Sequence, residues 1–285
     1  MPAGWGERLG DVTAIDGKAL RRSFEDASRR SPLHLVHAFA AESRLPLGQV
    51  RVDGRPDEIT AMPALLELLD IRGMTVTADA MHAQRDTAKR VTEAGGNCAL
   101  ALKGNQETLH DDVRIHLADP ENAGKMLSFR DVDKDHGRIE TREATICHDV
   151  DALQDLHHWP GLKAVGNVTA TREIKGESGT ETRHFLLSER LAPERFLRTV
   201  RAHRAVENSL HWVLDVTMDE DGQRNRTDNG PENLALMRRL ALNLARMAPG
   251  KDTMRGKLKK TGWSDDALIG LVWAAVRLEP PPRKS

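Results

Sequence analysis

The stretch from Met74 to Gly104 constrains the fold of this chain more than any other. MTVTADAMH (74–82) and NCALALKG (97–104) are short apolar runs, and QRDTAKRVTEAGG (84–96) between them has a helical period and stops at two glycines. Runs of that length bounded by turn residues are buried strands, and the amphipathic segment joining them has to pack on the sheet they form. Upstream, VTAIDGKAL (12–20), LHLVHAFAA (33–41) and GQVRV (48–52) are three short strands with tight turns, which predicts an antiparallel meander. ITAMPALLELLDIRG (59–73) and ETLHDDVRIHLAD (107–119) are helical. The order β-β-β-α-β-α-β-α over 12–119 predicts an α/β fold, a mixed sheet flanked by helices.

Residues 120–190 change character. IETREATICHD, LKAVGNVTATREI and TRHFLLSE are β-like runs separated by polar turns such as KGESGT, which predicts a β-rich insertion. One long helix is expected over 192–215 and a second over 230–247, each with an apolar stripe. The tail from Ser264 reads as one more helix closed by prolines.

Formal net charge is −1, so binding to a polyanion would need local patches. Arg190–Arg204 is one candidate. Leu236–Gly262 is another, with eight Lys and Arg against a single acid, Asp252. Two cysteines and no CxxC exclude a disulfide framework and a cysteine zinc site. The N-terminal MPAGWGERLG has no signal-peptide core, and the longest apolar run, ALIGLVWAAV, is too short to span a bilayer. A cytoplasmic protein with no membrane partner is expected.

The chemistry lies with three acids. Asp16 sits at the edge of the first strand, before Gly17, and Asp79 lies near the end of a buried strand. A carboxylate on an apolar strand costs several kcal/mol, on the order of 3–5, unless something pairs with it. In HRAVENSLHWVLD (203–215), His203, Glu207 and His211 are four apart, and Asp215 extends the row. On a helix that spacing places them on one face. The two histidines would then lie about 12 Å apart along the axis, too far to share a zinc ion with bonds of about 2 Å. Two strand carboxylates and one helix carboxylate instead suit Mg²⁺ or Mn²⁺. Spacing alone leaves blander roles open: Asp16 as a turn residue, Asp79 as a helix cap, Glu207 as a partner of Arg204 or His211.

Six blocks in order, AIDGKALRRS (14–23), VTADAMHAQRDTA (76–88), ALKGNQETL (101–109), HGRIETR (136–142), RAHRAVENSLHWVLDV (201–216) and PENLALMRRLALNL (231–244), decide between these readings. Together they closely resemble the H-repeat-associated, ISAs-type family of insertion-sequence transposases, over residues 12–248. The resemblance implies a ribonuclease-H-like fold with a β-rich insertion before the last catalytic helix. It implies a DDE triad, Asp16, Asp79 and Glu207, that is catalytic and binds Mg²⁺ or Mn²⁺. The implied activity is cleavage and strand transfer at insertion-sequence ends, with element and target DNA as partners and a homodimer in the synaptic complex. Candidate DNA contacts are Lys103, Asn105, Gln106, His136, Arg138, Arg142, His203 and His211. The expected organisation is a first part of the catalytic core over 1–119, the insertion over 120–190, the helical remainder over 191–248 and a basic tail over 249–285.

Departures from the family leave the acids intact. Arg204 stands where the family has Trp, Cys98 where it has Tyr, and Pro56-Asp57-Glu58 where it has Ser-Asn-Glu. The family carries a helical region ahead of the first acid, whereas only fifteen residues precede Asp16. An N-terminally truncated chain is therefore expected, and the alternative function is a catalytically silent, DNA-binding remnant of such a transposase.

Overall fold

The computed structural model describes residues 11–23, 32–52, 58–135, 138–174 and 177–276. Strands β1 (Val12–Leu20), β2 (Leu33–Ala40) and β3 (Leu45–Val52) come first. Helix α1 (Glu58–Glu67), β4 (Thr75–Ala78), α2 (Arg85–Glu93), β5 (Asn97–Leu102) and α3 (Glu107–Ala118) follow. Next are β6 (Met126–Asp135), β7 (Arg138–Cys147), α4 (Asp151–His157), β8 (Ala164–Ile174) and β9 (Glu177–Leu187). The remainder is helical: α5 (Pro193–His203), a π segment (Val206–His211), α6 (Trp212–Val216), α7 (Gly230–Met247), α8 (Met254–Trp263) and α9 (Asp265–Val276). The architecture is α/β, with nine strands in mixed orientation and flanking helices.

The chain forms two compact units, and β1 contributes its first half to one and its second half to the other. The unit built on Asp11–Ile15 and Asp70–Arg204 holds strands in the order β1-β4-β5-β9-β8-β7-β6. Val12–Ile15 pair in parallel with Thr75–Ala78, which pair in parallel with Asn97–Leu100. Parallel neighbours need a crossover. Between β4 and β5 it is α2, which buries Thr87, Ala88 and Val91. The β-rich segment is strands β6–β9, an antiparallel meander that continues the β4–β5 sheet through β9.

Helix α5 begins at Pro193, whose fixed φ suits the first helical position. It buries Phe196 and Leu197 against Ala144, Ile146, Phe185 and Leu187. Phe196 meets Phe185 edge to face, with ring centroids 5.5 Å apart. Gly166 makes room for it: a Cβ there would lie 2.7 Å from the Thr145 carbonyl oxygen and 2.8 Å from the Phe196 ring.

The other unit is built on Asp16–Leu69 and Ala205–Ser285. Here β2 pairs antiparallel with β3 across a bulge at Ala38/Phe39. All eight residues of β2 are buried, His34 and His37 included. Helix α7 covers this layer through Ala235, which packs with Leu20, Leu33 and Leu35. Asn243 donates to the Pro46 carbonyl at 2.8 Å.

Two local expectations differ from what forms. Asp16 does not end its strand; β1 runs through Asp16-Gly17 to Leu20. Ile15 and Leu20 on either side are fully buried, and that burial outweighs the turn preference of Asp-Gly. The long helix over 192–215 is interrupted: α5 stops at His203 and a π segment follows. The apolar stripe shifts phase there, from Phe196, Leu197 and Val200 to Val206, Leu210 and Leu214. The wider π turn, with i→i+5 bonds, absorbs the shift. The helix expected from Ser264 forms as α9, where Ser264 adopts extended backbone and its hydroxyl accepts from the Ala267 amide.

Candidate active site

Every residue of β4 is buried, and Asp79 is the first residue past its end. Asp79 precedes the short 3-10 turn Ala80–His82, but its side chain makes no cap bond, so the capping role does not hold. The carboxylate is 55% exposed, and Oδ1 lies 3.5 Å from His203 Nε2. The other ring nitrogen of His203, Nδ1, is 3.1 Å from the hydroxyl of Thr77, a buried β4 residue. Helix α5 thus brings His203 onto the end of β4 with both nitrogens engaged. The His203 contact, with Lys103 and Arg183 nearby, holds the Asp79 carboxyl below the usual carboxylate range despite partial burial. Asp79 is ionised at neutral pH.

Asn105 and Gln106 fix the loop beyond Asp79. Asn105 donates to the Ala80 carbonyl at 2.8 Å, and Gln106 to the Ala83 carbonyl at 3.3 Å. Arg138 and Arg142 both turn to the buried carboxylate of Glu140, at 3.7 and 2.7 Å, and Arg172 joins them at 3.2 Å. His136 lies outside the described residues.

In the other unit, Asp16 is 21% exposed. Its Oδ1 accepts from the Gly17 amide at 2.9 Å, and Oδ2 lies 3.7 Å from His211 Nδ1. Burial, with Lys18 and Arg239 near, drops the His211 pKa to about 3, so the ring is neutral at pH 7. His211 meets His37 edge-on at 5.7 Å. His37 Nε2 accepts from Arg239 Nη2 at 2.5 Å, which fixes its tautomer, since a guanidinium only donates. Arg239 also donates to Glu220 at 2.7 Å and to the Ala235 carbonyl at 2.8 Å. Lys18 grips Asp215 at 2.7 Å, with Asp221 at 3.5 Å. The row that Asp215 extends therefore ends in an ion pair.

Glu207 is exposed, in the π segment. Among the described residues its carboxylate has no hydrogen-bond or ion-pair partner. The helix pairs with Arg204 or His211 that spacing allowed do not form. Ile15 is paired with Ala78, and Asp16 and Asp79 are the next residue on each chain segment. Among the described residues no three His, Cys, Asp or Glu side chains form a ready metal cage.

Sequence reasoning missed Thr77, His37, Lys18, Glu220 and Arg183. It also placed Arg239 and Arg246 in a surface basic patch. Arg239 is 3% exposed, and Arg246 donates to the Arg44 and Ser209 carbonyls. Burial pushes the Arg246 pKa down to about 10. A histidine within the uniformly apolar LHLVHAFA was the available signal for a buried polar network.

A family model described as a transposase DDE domain matches residues 7–244. The chain belongs to the DDE transposase family. More narrowly, it is similar to the H repeat-associated protein YhhI and to YbfL, both of Escherichia coli (strain K12). Each is 36% identical over 273 residues, covering 92% of this chain and 71% of the relative. YncI of Escherichia coli O157:H7, named as a transposase, is 37% identical over 244 residues, or 83% of this chain and 62% of its own. Among solved structures, the cryo-EM piggyBac transposase synaptic complex with hairpin DNA aligns with a TM-score of 0.50 at 11% identity. That alignment covers 96% of this chain and 55% of the piggyBac chain, and it bears on the fold alone. No helix among the described residues is long and apolar enough to cross a membrane.

Proposed function

We propose that this chain cuts DNA and transfers the cut strand at the ends of an insertion sequence, with Asp16, Asp79 and Glu207 holding Mg²⁺ or Mn²⁺. One observation carries the reading. Asp16 and Asp79 directly follow a paired position on parallel strands, and in sequence Glu207 is four residues from both His203, which lies near Asp79, and His211, which lies near Asp16.

The donor chemistry fits a hard divalent ion. All three groups offer carboxylate oxygens. When bound, a pair of such ions supplies activation of an attacking oxygen and stabilisation of the leaving one in an in-line displacement. The chain's own residues prepare for this. His203 and the nearby cations keep Asp79 ionised. Neutral His211 lies beside Asp16 without adding a positive charge that would repel a metal. The Glu207 carboxylate, unpartnered among the described residues, breaks no hydrogen bond to them when it takes a ligand. The substrates are the element's two DNA ends and target DNA, the working compartment is the cytoplasm, and two copies bring the ends together. Lys103, exposed beside Asp79, is the best placed of the expected DNA contacts.

The test uses a supercoiled plasmid carrying the DNA that flanks the gene. Mg²⁺-dependent nicking should appear, vanish with EDTA, and be lost in Asp16→Asn, Asp79→Asn and Glu207→Gln. Nicking that survives those substitutions would remove the assignment. DNA binding with no cleavage at any metal concentration would leave only the binding function.

A further inference from the structure

We propose that Arg183 and Arg204 form a binding site for a backbone phosphate of the DNA strand, in the cleft beside Asp79. The proposal rests on the DNA-cleaving reading and goes beyond it, since neither arginine belongs to the triad or to its histidine partners.

The cleft is lined by Thr77, Asp79, Phe185 and His203 together with the two arginines. Arg183 reaches it from β9, where alternation places it on the same face as Phe185. Arg204 is the first residue beyond α5. Its side chain is half-buried, and among the described residues it has no carboxylate within ion-pair distance. Burial lowers its pKa, and Arg183 and Arg172 lower it further, against weaker help from Glu181 and Glu140. A cation held in place for structure alone would have a counter-ion. This one faces two more cations.

Arg183 is committed through one nitrogen only. Its Nε donates to Glu181 at 2.7 Å, and its terminal amino groups carry no hydrogen bond among the described residues. Arg172 is held by Glu140 and adds field without being free to bind. Two guanidinium groups with unfilled donors, on an apolar wall, match the charge and forked geometry of a phosphodiester oxygen pair. A phosphate held there would neutralise the repulsion that Arg204 now bears. It would also fix a strand next to the Asp79 carboxylate. Lysine would not replace either arginine fully, because it donates from a single point.

The test measures binding of a fluorescein-labelled 20-base-pair duplex to the full chain by anisotropy, over a salt series in EDTA. Arg183→Met and Arg204→Met are compared with Arg204→Lys. The control is Arg114→Met, which removes an exposed arginine paired with Asp111 on its own helix. Each arginine lost from a phosphate contact should reduce the slope of log K against log salt by about 1. Arg204→Lys should recover part of the affinity, and the control should match wild type. Without DNA, Arg204→Met should melt at the wild-type temperature or above it, because the substitution relieves repulsion. Wild-type slope in both methionine variants overturns the site and leaves the DNA function standing. So does a fall in melting temperature with an unchanged slope, which marks a structural role. If the wild-type chain shows no salt-dependent DNA binding, the DNA function itself fails.

Discussion

Arg239→Met tests the buried network behind Asp16 directly. The Arg239 side chain is 4% exposed and that of Glu220 fully buried, and their charges meet at 2.7 Å. Removing one partner of a buried pair costs about 3–5 kcal/mol, mostly because the other charge is left uncompensated. Glu220 would not be wholly abandoned, since Lys18 lies 3.9 Å away, and this favours the low end, about 3 kcal/mol. His37 also loses its donor, and a buried unpaired acceptor adds about 1 kcal/mol or more. The expected cost is therefore about 4 kcal/mol. The pair is expensive to break but cheap to replace, so adding Glu220→Leu should return about 2 kcal/mol or more of that loss. Urea unfolding followed by fluorescence and by far-UV dichroism measures both, with the two probes checking for separate transitions of the two units. A single-variant loss under 1 kcal/mol refutes the reasoning. So does a double variant no more stable than Arg239→Met.

Further expectations follow from other parts of the molecule. Gly166→Ala should destabilise by about 1–3 kcal/mol, because its methyl meets the Thr145 carbonyl and the Phe196 ring; thermal unfolding checks this, and Phe196→Leu in the same chain should relieve part of it. Burial, then His110 and Arg114, hold the His184 pKa below its ordinary 6.5. Below that value the unfolded chain takes up a proton that the folded chain refuses, so stability falls as pH drops through 6.5 toward the folded pKa. His184→Gln should flatten that fall between pH 7 and 5 in unfolding titrations, leaving the share due to His37 and His211. Mg²⁺ at 100 times its Kd should stabilise the chain by about 2.7 kcal/mol, reversibly with EDTA, and Glu207→Ala should lose the effect in a thermal-shift titration.

Much of this fold could be read from the chain because burial leaves a pattern in the letters. TVTA is built of small and β-branched residues and NCALAL is mostly apolar, and both form largely buried strands at the positions their composition predicts. The helix between them shows its apolar stripe in Thr87, Ala88 and Val91. What could not be read were features whose cause lies far along the chain. Asp16-Gly17 has the letters of a turn, and only the burial of Ile15 and Leu20 keeps the strand straight. Arg239 sits in a run of basic residues, and nothing nearby announces that its partners are Glu220 and His37, the latter 202 positions away.

The same limit governs the site. The family motifs singled out Asp16, Asp79 and Glu207 as candidates, and the four-residue spacing did the same for His203, Glu207 and His211. But spacing converts to a shared face only if the helix is regular. Here α5 ends at His203, and Glu207 and His211 lie in a π segment with a different hydrogen-bond step. The three residues accordingly have different surroundings. His203 is fixed between Thr77 and Asp79, His211 is buried against His37 and Asp16, and Glu207 is exposed. A row that a regular helix would place on one face is, on a broken one, two histidines beside two different aspartates, with Glu207 midway between them in sequence. Each histidine answers to its own aspartate. The break that sequence periodicity could not anticipate gives each of the three its own surroundings, and it adds to the spacing of about 12 Å that already sets the row apart from a zinc site.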